Sequence, residues 1–110
     1  MKKDEHYLQV AIHNLLTFYK IVHFAVPNGS LRNVKVARAL KAEGVMAGVS
    51  DLVLVLPNRI VFVEIKNGKK GVQSDAQKEF QRTVEGLGFE YVIFRTLDDC
   101  QDFIKKLRKF

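Results

Sequence analysis

Asp51-Leu52-Val53-Leu54-Val55-Leu56-Pro57-Asn58-Arg59-Ile60-Val61-Phe62-Val63-Glu64-Ile65-Lys66 is the stretch whose reading decides the fold. Leu52 to Leu56 is apolar at every position, as in a strand covered on both faces. Pro57-Asn58 turns the chain. Arg59 to Lys66 then reads as a second strand, with Val61, Val63 and Ile65 on one face and Ile60, Phe62, Glu64 and Lys66 on the other. With Pro57 and Asn58 as the two turn residues, Leu56 faces Arg59, and the pairing carries on until Asp51 faces Glu64. Directly opposite Cβ atoms lie about 4.5–5.5 Å apart. A Pro-Asn loop is not the favoured type I′ turn, and a one-residue slip would separate the two carboxylates.

Around the hairpin, the spacing predicts a helix over 4–19 with Leu8, Ile12, Leu15, Leu16 and Tyr19 buried, and a short strand over 21–26. Pro27-Asn28-Gly29-Ser30 reads as a turn, and a helix over 32–43 ends at Gly44. Ser74-Asp75-Ala76-Gln77 opens a third helix with Ala76, Phe80, Val84 and Leu87 as its apolar stripe. A strand over 89–94 follows. Thr96 caps a last helix that buries Cys100, Phe103, Ile104 and Leu107. The order α-β-α-β-β-α-β-α gives an α/β fold: a mixed four-stranded sheet flanked by helices, with a right-handed crossover through the third helix. A chain of 110 residues with 47% hydrophobic and 27% charged residues is expected to be one globular domain, 1–110. No apolar run approaches the roughly 20 residues that span a bilayer, so no membrane association is expected. Cys100, the only cysteine, has no intrachain partner, which fits a reducing, cytoplasmic setting.

Eighteen Lys and Arg against twelve Asp and Glu leave a charge of +6, which favours an anionic partner, nucleic acid above all. Basic residues gather at Arg32, Lys35, Arg38 and Lys41, at Lys66, Lys69 and Lys70, and at the C-terminus. Asp51, Glu64 and Lys66 are the chemically distinctive set. Charged side chains on a largely apolar strand are expensive without a partner or a task. Two carboxylates facing each other repel, and a divalent cation between them turns repulsion into binding. Oxygen donors without cysteine or clustered histidine suit a hard cation, Mg²⁺ or Mn²⁺, and a neighbouring lysine can hold an attacking water and stabilise charge on phosphorus. The ordinary alternative is an ion pair at a strand end with Asp51 capping a turn. His6, His13 and His23 lack zinc spacing and read as structural or surface residues.

Asp51, twelve intervening residues, then Glu64-Ile65-Lys66 resembles the signature of the PD-(D/E)XK nuclease superfamily, whose core is restriction-endonuclease-like. With Gly48-Val49-Ser50-Asp51-Leu52 and Ser74-Asp75-Ala76-Gln77, the chain resembles the VRR-NUC domain over about 5–94. Asn28-Gly29 also fits. Ser50 stands where the motif often has proline, which is not a ligand position. The resemblance implies a metal-dependent endodeoxyribonuclease, in which Asp51, Glu64 and the Ile65 backbone carbonyl hold Mg²⁺ or Mn²⁺ and Lys66 is the catalytic lysine. Gln77 would orient water or the scissile phosphate, and Glu5 would reach the metal through a water. Small stand-alone relatives resemble junction resolvases and act as homodimers, which implies branched DNA such as a Holliday junction, a homodimer, and the cytoplasm of a bacterial or phage-infected cell. Lys69, Lys70, Arg32, Lys35 and Asn28 would contact the DNA. Two other readings stand beside this one: a flap- or nick-type repair nuclease, and a catalytically inactive nucleic-acid-binding module of the same fold. Gln77 could also serve only a capping box with Ser74, Glu5 could lie on a solvated helix face, and Asn28 could simply form a turn.

Overall fold

In a computed structural model the chain runs α1 (Lys3–Phe18), β1 (Val22–Ala25), α2 (Val34–Ala42), β2 (Leu52–Leu56), β3 (Arg59–Ile65), α3 (Asp75–Gly86), β4 (Glu90–Phe94) and α4 (Leu97–Leu107). The structure describes residues 3–27 and 34–108, without the side chains of Lys3, Val34, Lys35 and Ala37. The expected turn from Asn28 onward and Arg32 lie outside the described residues, as does the Lys35 side chain.

The hairpin forms in the expected register, from Leu56 opposite Arg59 to Leu52 opposite Val63. Asn58 takes a left-handed φ of +59°, which asparagine tolerates, and follows Pro57, whose ring presets the first turn position. This pairing makes the Pro-Asn loop a workable two-residue turn without the type I′ geometry. The sheet order is β1-β2-β3-β4. β1 and β3 flank β2 antiparallel, and β4 joins β3 in parallel after the α3 crossover. The sheet is mixed and four-stranded, as the element order implied.

Strand alternation sorts the core into two clusters. Leu52, Leu54, Val61, Val63, Ile65 and Phe94 pack with Ile12 and Leu16 of α1 and Cys100 and Ile104 of α4. Each fully buried aliphatic side chain contributes about 1.5–3 kcal/mol, so this cluster carries most of the hydrophobic stability. The other face holds Phe80 and Val84 of α3 against Tyr91, with Phe62 and Ile93 beside them. Ala76 and Leu87 were expected in the α3 stripe and are exposed instead. Ala76 sits in the first turn, whose carbonyl meets the loop before β2. Leu87 is the C-cap and has left the helical face before Gly88 reverses the chain at φ +93°. The first helix stops at Phe18, one residue short of the expected end, because Lys20 turns left-handed at φ +59°. β3 likewise stops at Ile65, although Lys66 N–H still donates to Phe94 O at 3.1 Å.

On the α3 side of the sheet, cover is incomplete. Val22 faces Val55, and Val55 faces Ile60, so the three form one row across β1, β2 and β3. All three are exposed, at 65%, 41% and 37%, with Phe24 beside them at 53%. Among the described residues no helix is long and apolar enough to cross a membrane.

Candidate metal and phosphate site

The site is built where β2 begins and β3 ends. Ser50 is fully buried and its hydroxyl donates to Leu52 O at 3.0 Å, so serine serves at the position where proline is common in the motif it resembles. Asp51 follows. Its backbone carbonyl accepts Val26 N–H at 2.9 Å, which extends the β1–β2 pairing by one step. Its side-chain Oδ2 accepts Ile65 N–H at 2.8 Å, which fixes the carboxylate against the end of β3. Gly48 allows this approach. It sits at φ +81°, and a Cβ there would lie 2.3 Å from Ala76 O, so the loop before Asp51 rests directly on the first turn of α3.

Glu64 is 1% exposed, and Lys66 is 9% exposed two residues on. Gln77 Nε2 donates to Glu64 Oε2 at 3.0 Å. The same amide accepts Ser74 N–H on Oε1 at 2.9 Å, and Ser74 Oγ accepts Gln77 N–H at 3.2 Å. The capping box and the site contact therefore coexist in one side chain, and both ends of the Gln77 amide are engaged. On the other side, Tyr91 OH lies 3.5 Å from Glu64 Oε1.

Burial, and then the neighbouring Asp51 carboxylate with which Glu64 shares a hydrogen bond, push the Glu64 carboxyl up to about 9. Lys66 Nζ is 3.8 Å from Glu64 Oε2 and pulls the other way. Its attraction is the smaller effect, so without a cation the buried Asp51–Glu64 pair favours holding a proton. A buried carboxyl pair that must share a proton is a donor set short of positive charge. Two neighbouring carboxylates suit Mg²⁺ or Mn²⁺, which bind through one or two carboxylates. Among the described residues no group of three or more His, Cys, Asp or Glu is placed to hold a metal ion, so the protein's side-chain donors here are the two carboxylates.

Lys69 and Lys70 are exposed on the loop that follows Lys66. Arg95 fixes that loop. Its Nη1 donates to Gly68 O at 2.9 Å and Gly71 O at 2.5 Å, the two carbonyls that bracket the lysines. Gly71 comes so near that a Cβ there would meet Lys66 Cβ at 3.0 Å, so the loop folds back over Lys66. Glu5 is half-buried near the start of α1. Its neighbour Asp4 accepts from Asn67 Nδ2 at 3.4 Å, which places the N-terminus of α1 beside the residue after Lys66.

Tyr91, Gln73 and Arg95 went unread in the sequence, although they converge on this region. Parallel pairing sets Tyr91 opposite Phe62 and Ile93 opposite Glu64, so β4 delivers a residue to each side of the glutamate. The signal that could have found Tyr91 is a lone hydroxyl beside Val92, Ile93 and Phe94 on a strand whose other polar residue is Glu90 at its start. The histidines, in contrast, lie apart: His13 Nδ1 and His23 Nε2 are 2.7 Å apart, and His23 Nδ1 is 2.7 Å from Ile21 O. They tie α1 to β1 beside a cavity of about 270 Å³ that His6 and Gln9 also line.

No protein-family model matches the chain, and no curated protein matches it. Solved structures do. One described as a VRR_NUC domain protein superposes with a TM-score of 0.78 at 21% identity, over 96% of this chain and 88% of that one. A second, described as a VRR_NUC domain, gives 0.71 at 16% identity over 94% of this chain and 97% of its own. The chain has the VRR-NUC domain fold, as the resemblance in its motifs implied.

Proposed function

We propose that residues 1–110 form a divalent-metal-dependent endodeoxyribonuclease domain that hydrolyses phosphodiesters in branched DNA. The observation that carries the reading is the buried Asp51–Glu64 carboxyl pair, with Lys66 on the same side, on a VRR-NUC fold. Asp51, Glu64 and the Ile65 carbonyl would hold Mg²⁺ or Mn²⁺, with Glu5 reaching it through a water. When bound, the cation would neutralise charge on the scissile phosphate and acidify a water. The chain supplies the rest. Lys66 is nearly buried with its Nζ 3.8 Å from Glu64 Oε2, so its ammonium would meet a phosphate oxygen or the attacking water beside the metal with little competition from solvent. Gln77 holds Glu64 rather than facing open space, so its part is to fix the ligand carboxylate. Lys69 and Lys70, on a loop pinned by Arg95, track the DNA backbone, joined by Arg32, Lys35 and Asn28.

A homodimer fits the uncovered row of Val22, Val55 and Ile60 with Phe24, an apolar strip on one sheet face of a charged chain. A two-fold pair would present two sites to two strands of a junction. The test is a panel of labelled four-way, flap, nicked and linear DNA with Mg²⁺ or Mn²⁺, using the wild type, Lys66→Ala and Asp51→Asn. Metal-stimulated cleavage of the four-way substrate that both variants lose supports the proposal. Preference for flap or nicked DNA makes it a repair-type nuclease instead. Binding without cleavage on every substrate makes the chain an inactive nucleic-acid-binding module.

A further inference from the structure

We propose that Tyr91 is a positioning residue for Glu64: its hydroxyl, supported by Gln73, sets the orientation in which the carboxylate meets a divalent cation. The inference rests on the nuclease reading of the carboxyl pair. It starts from a question of cost. Tyr91 is 7% exposed, among Phe80, Val84, Phe62 and Ile93, with its ring centroid 6.2 Å from that of Phe80. Phenylalanine would fill this space without a hydroxyl to satisfy, and an unpartnered buried hydroxyl is unfavourable. The hydroxyl is partnered on both sides. It accepts from Gln73 Nε2 at 3.2 Å and points at Glu64 Oε1 at 3.5 Å.

Glu64 is therefore approached from two elements at once. Gln77 of α3 holds Oε2, and Tyr91 of β4 faces Oε1. One contact alone leaves the carboxylate free to rotate about its last bond; contacts on both oxygens restrict it. Groups that orient ligand carboxylates typically change metal affinity by about 10–100-fold when removed. At 3.5 Å the Tyr91 bond is long, which places its effect near the lower end. Gln73 gives the arrangement its direction. Its Nε2 also donates to Gln81 Oε1 at 2.9 Å, so the amide is anchored to α3 and holds the tyrosine oxygen from the loop side.

The experiment is an Mn²⁺ titration by calorimetry, without DNA, of the wild type, Tyr91→Phe, Gln73→Leu and Glu64→Gln, with unfolding midpoints measured in parallel. Tyr91→Phe is expected to bind Mn²⁺ about tenfold more weakly. In cleavage assays the Mn²⁺ concentration for half-maximal rate should rise by a similar factor, with the rate at saturating Mn²⁺ largely recovered. A merely structural role would lower the unfolding midpoint and leave the half-maximal concentration in place. Wild-type Mn²⁺ affinity in Tyr91→Phe, alongside lost binding in Glu64→Gln, overturns the positioning role and leaves the site intact. Unchanged binding in Glu64→Gln overturns the site reading itself. Should Tyr91→Phe fail to fold, Gln73→Leu decides, since it leaves the tyrosine in place. It must weaken Mn²⁺ binding by about threefold or more, and no change overturns the proposal.

Discussion

Gln77 reaches Glu64 across 3.0 Å while its other amide atom closes the capping box of α3 at Ser74. One side chain thus starts a helix and steadies a buried carboxyl, and substitutions can separate the two tasks. Gln77→Ala removes both, and the loss of its half of the capping box alone is expected to cost about 0.3–1.5 kcal/mol in urea denaturation. Gln77→Glu keeps a capping residue but sets a carboxylate against Glu64. Its stability loss should be smaller than that of Gln77→Ala at pH 5, with Mn²⁺ binding still changed. Equal losses in both variants would mean that Gln77 acts through Glu64 alone.

Glu64 gives stability a pH dependence of known sign. Its carboxyl titrates near 9 in the fold and near the ordinary 4.5 when unfolded. Between these values the folded state holds the extra proton, so this contribution is full below about 4.5 and is lost as pH rises toward 9. The metal-free wild type is expected to lose stability relative to Glu64→Gln across that window. A difference between the two that stays flat with pH would refute the shift. Mn²⁺ must displace the same proton, so its affinity should rise over the same range.

Lys66 counters part of that shift from 3.8 Å. Lys66→Met keeps the apolar stem and removes the charge. Cleavage is expected to fall by about 100-fold or more, as for other buried groups that stabilise transition-state charge. Mn²⁺ binding should change far less than in Glu64→Gln. Near-normal cleavage would remove Lys66 from the chemistry.

Lys69 and Lys70 are exposed, so their contribution should be electrostatic. DNA affinity is expected to fall steeply with salt, and each Lys→Ala change should reduce the logarithmic slope by about 1. A slope unaltered in the double variant would place the DNA elsewhere on the surface.

Phe24→Glu and Val55→Glu test the apolar strip. Sedimentation should show a dimer for the wild type and a monomer for each variant, with metal binding retained. A monomeric wild type would leave the strip without this role.

The hairpin and the order of elements were legible because local rules agree there. The alternation of Arg59 to Lys66 and the charges at Asp51 and Glu64 favour one register, the Pro-Asn turn left a slip open, and the register the structure adopts brings Asp51 to Glu64. Both capping boxes were legible for the same reason: the partners are three residues apart. Contacts made across distant elements were not. Tyr91 meets Glu64 from a strand 27 residues on, through a parallel pairing that no local pattern fixes. Arg95 reads as one more surface cation until its guanidinium is seen on Gly68 and Gly71. The α3 stripe was overdrawn at both ends for a simpler reason. A helical period continues on paper through the first turn and the cap, where the backbone faces a loop at Ala76 and breaks its geometry at Leu87.

The crossover between β3 and β4 also orders the molecule in time. The hairpin joins neighbours in sequence and can close early, whereas the parallel pairing must wait for α3 to be traversed, and long-range pairing of this kind is slow. An emerging chain that has made the hairpin holds both acids but neither Gln77 nor Tyr91, the two groups that contact Glu64 from later in the chain. The full set of contacts on Glu64 is thereby reserved for the finished fold. Incomplete or partly degraded chains carry the hairpin motif without Gln77 and Tyr91 beside Glu64.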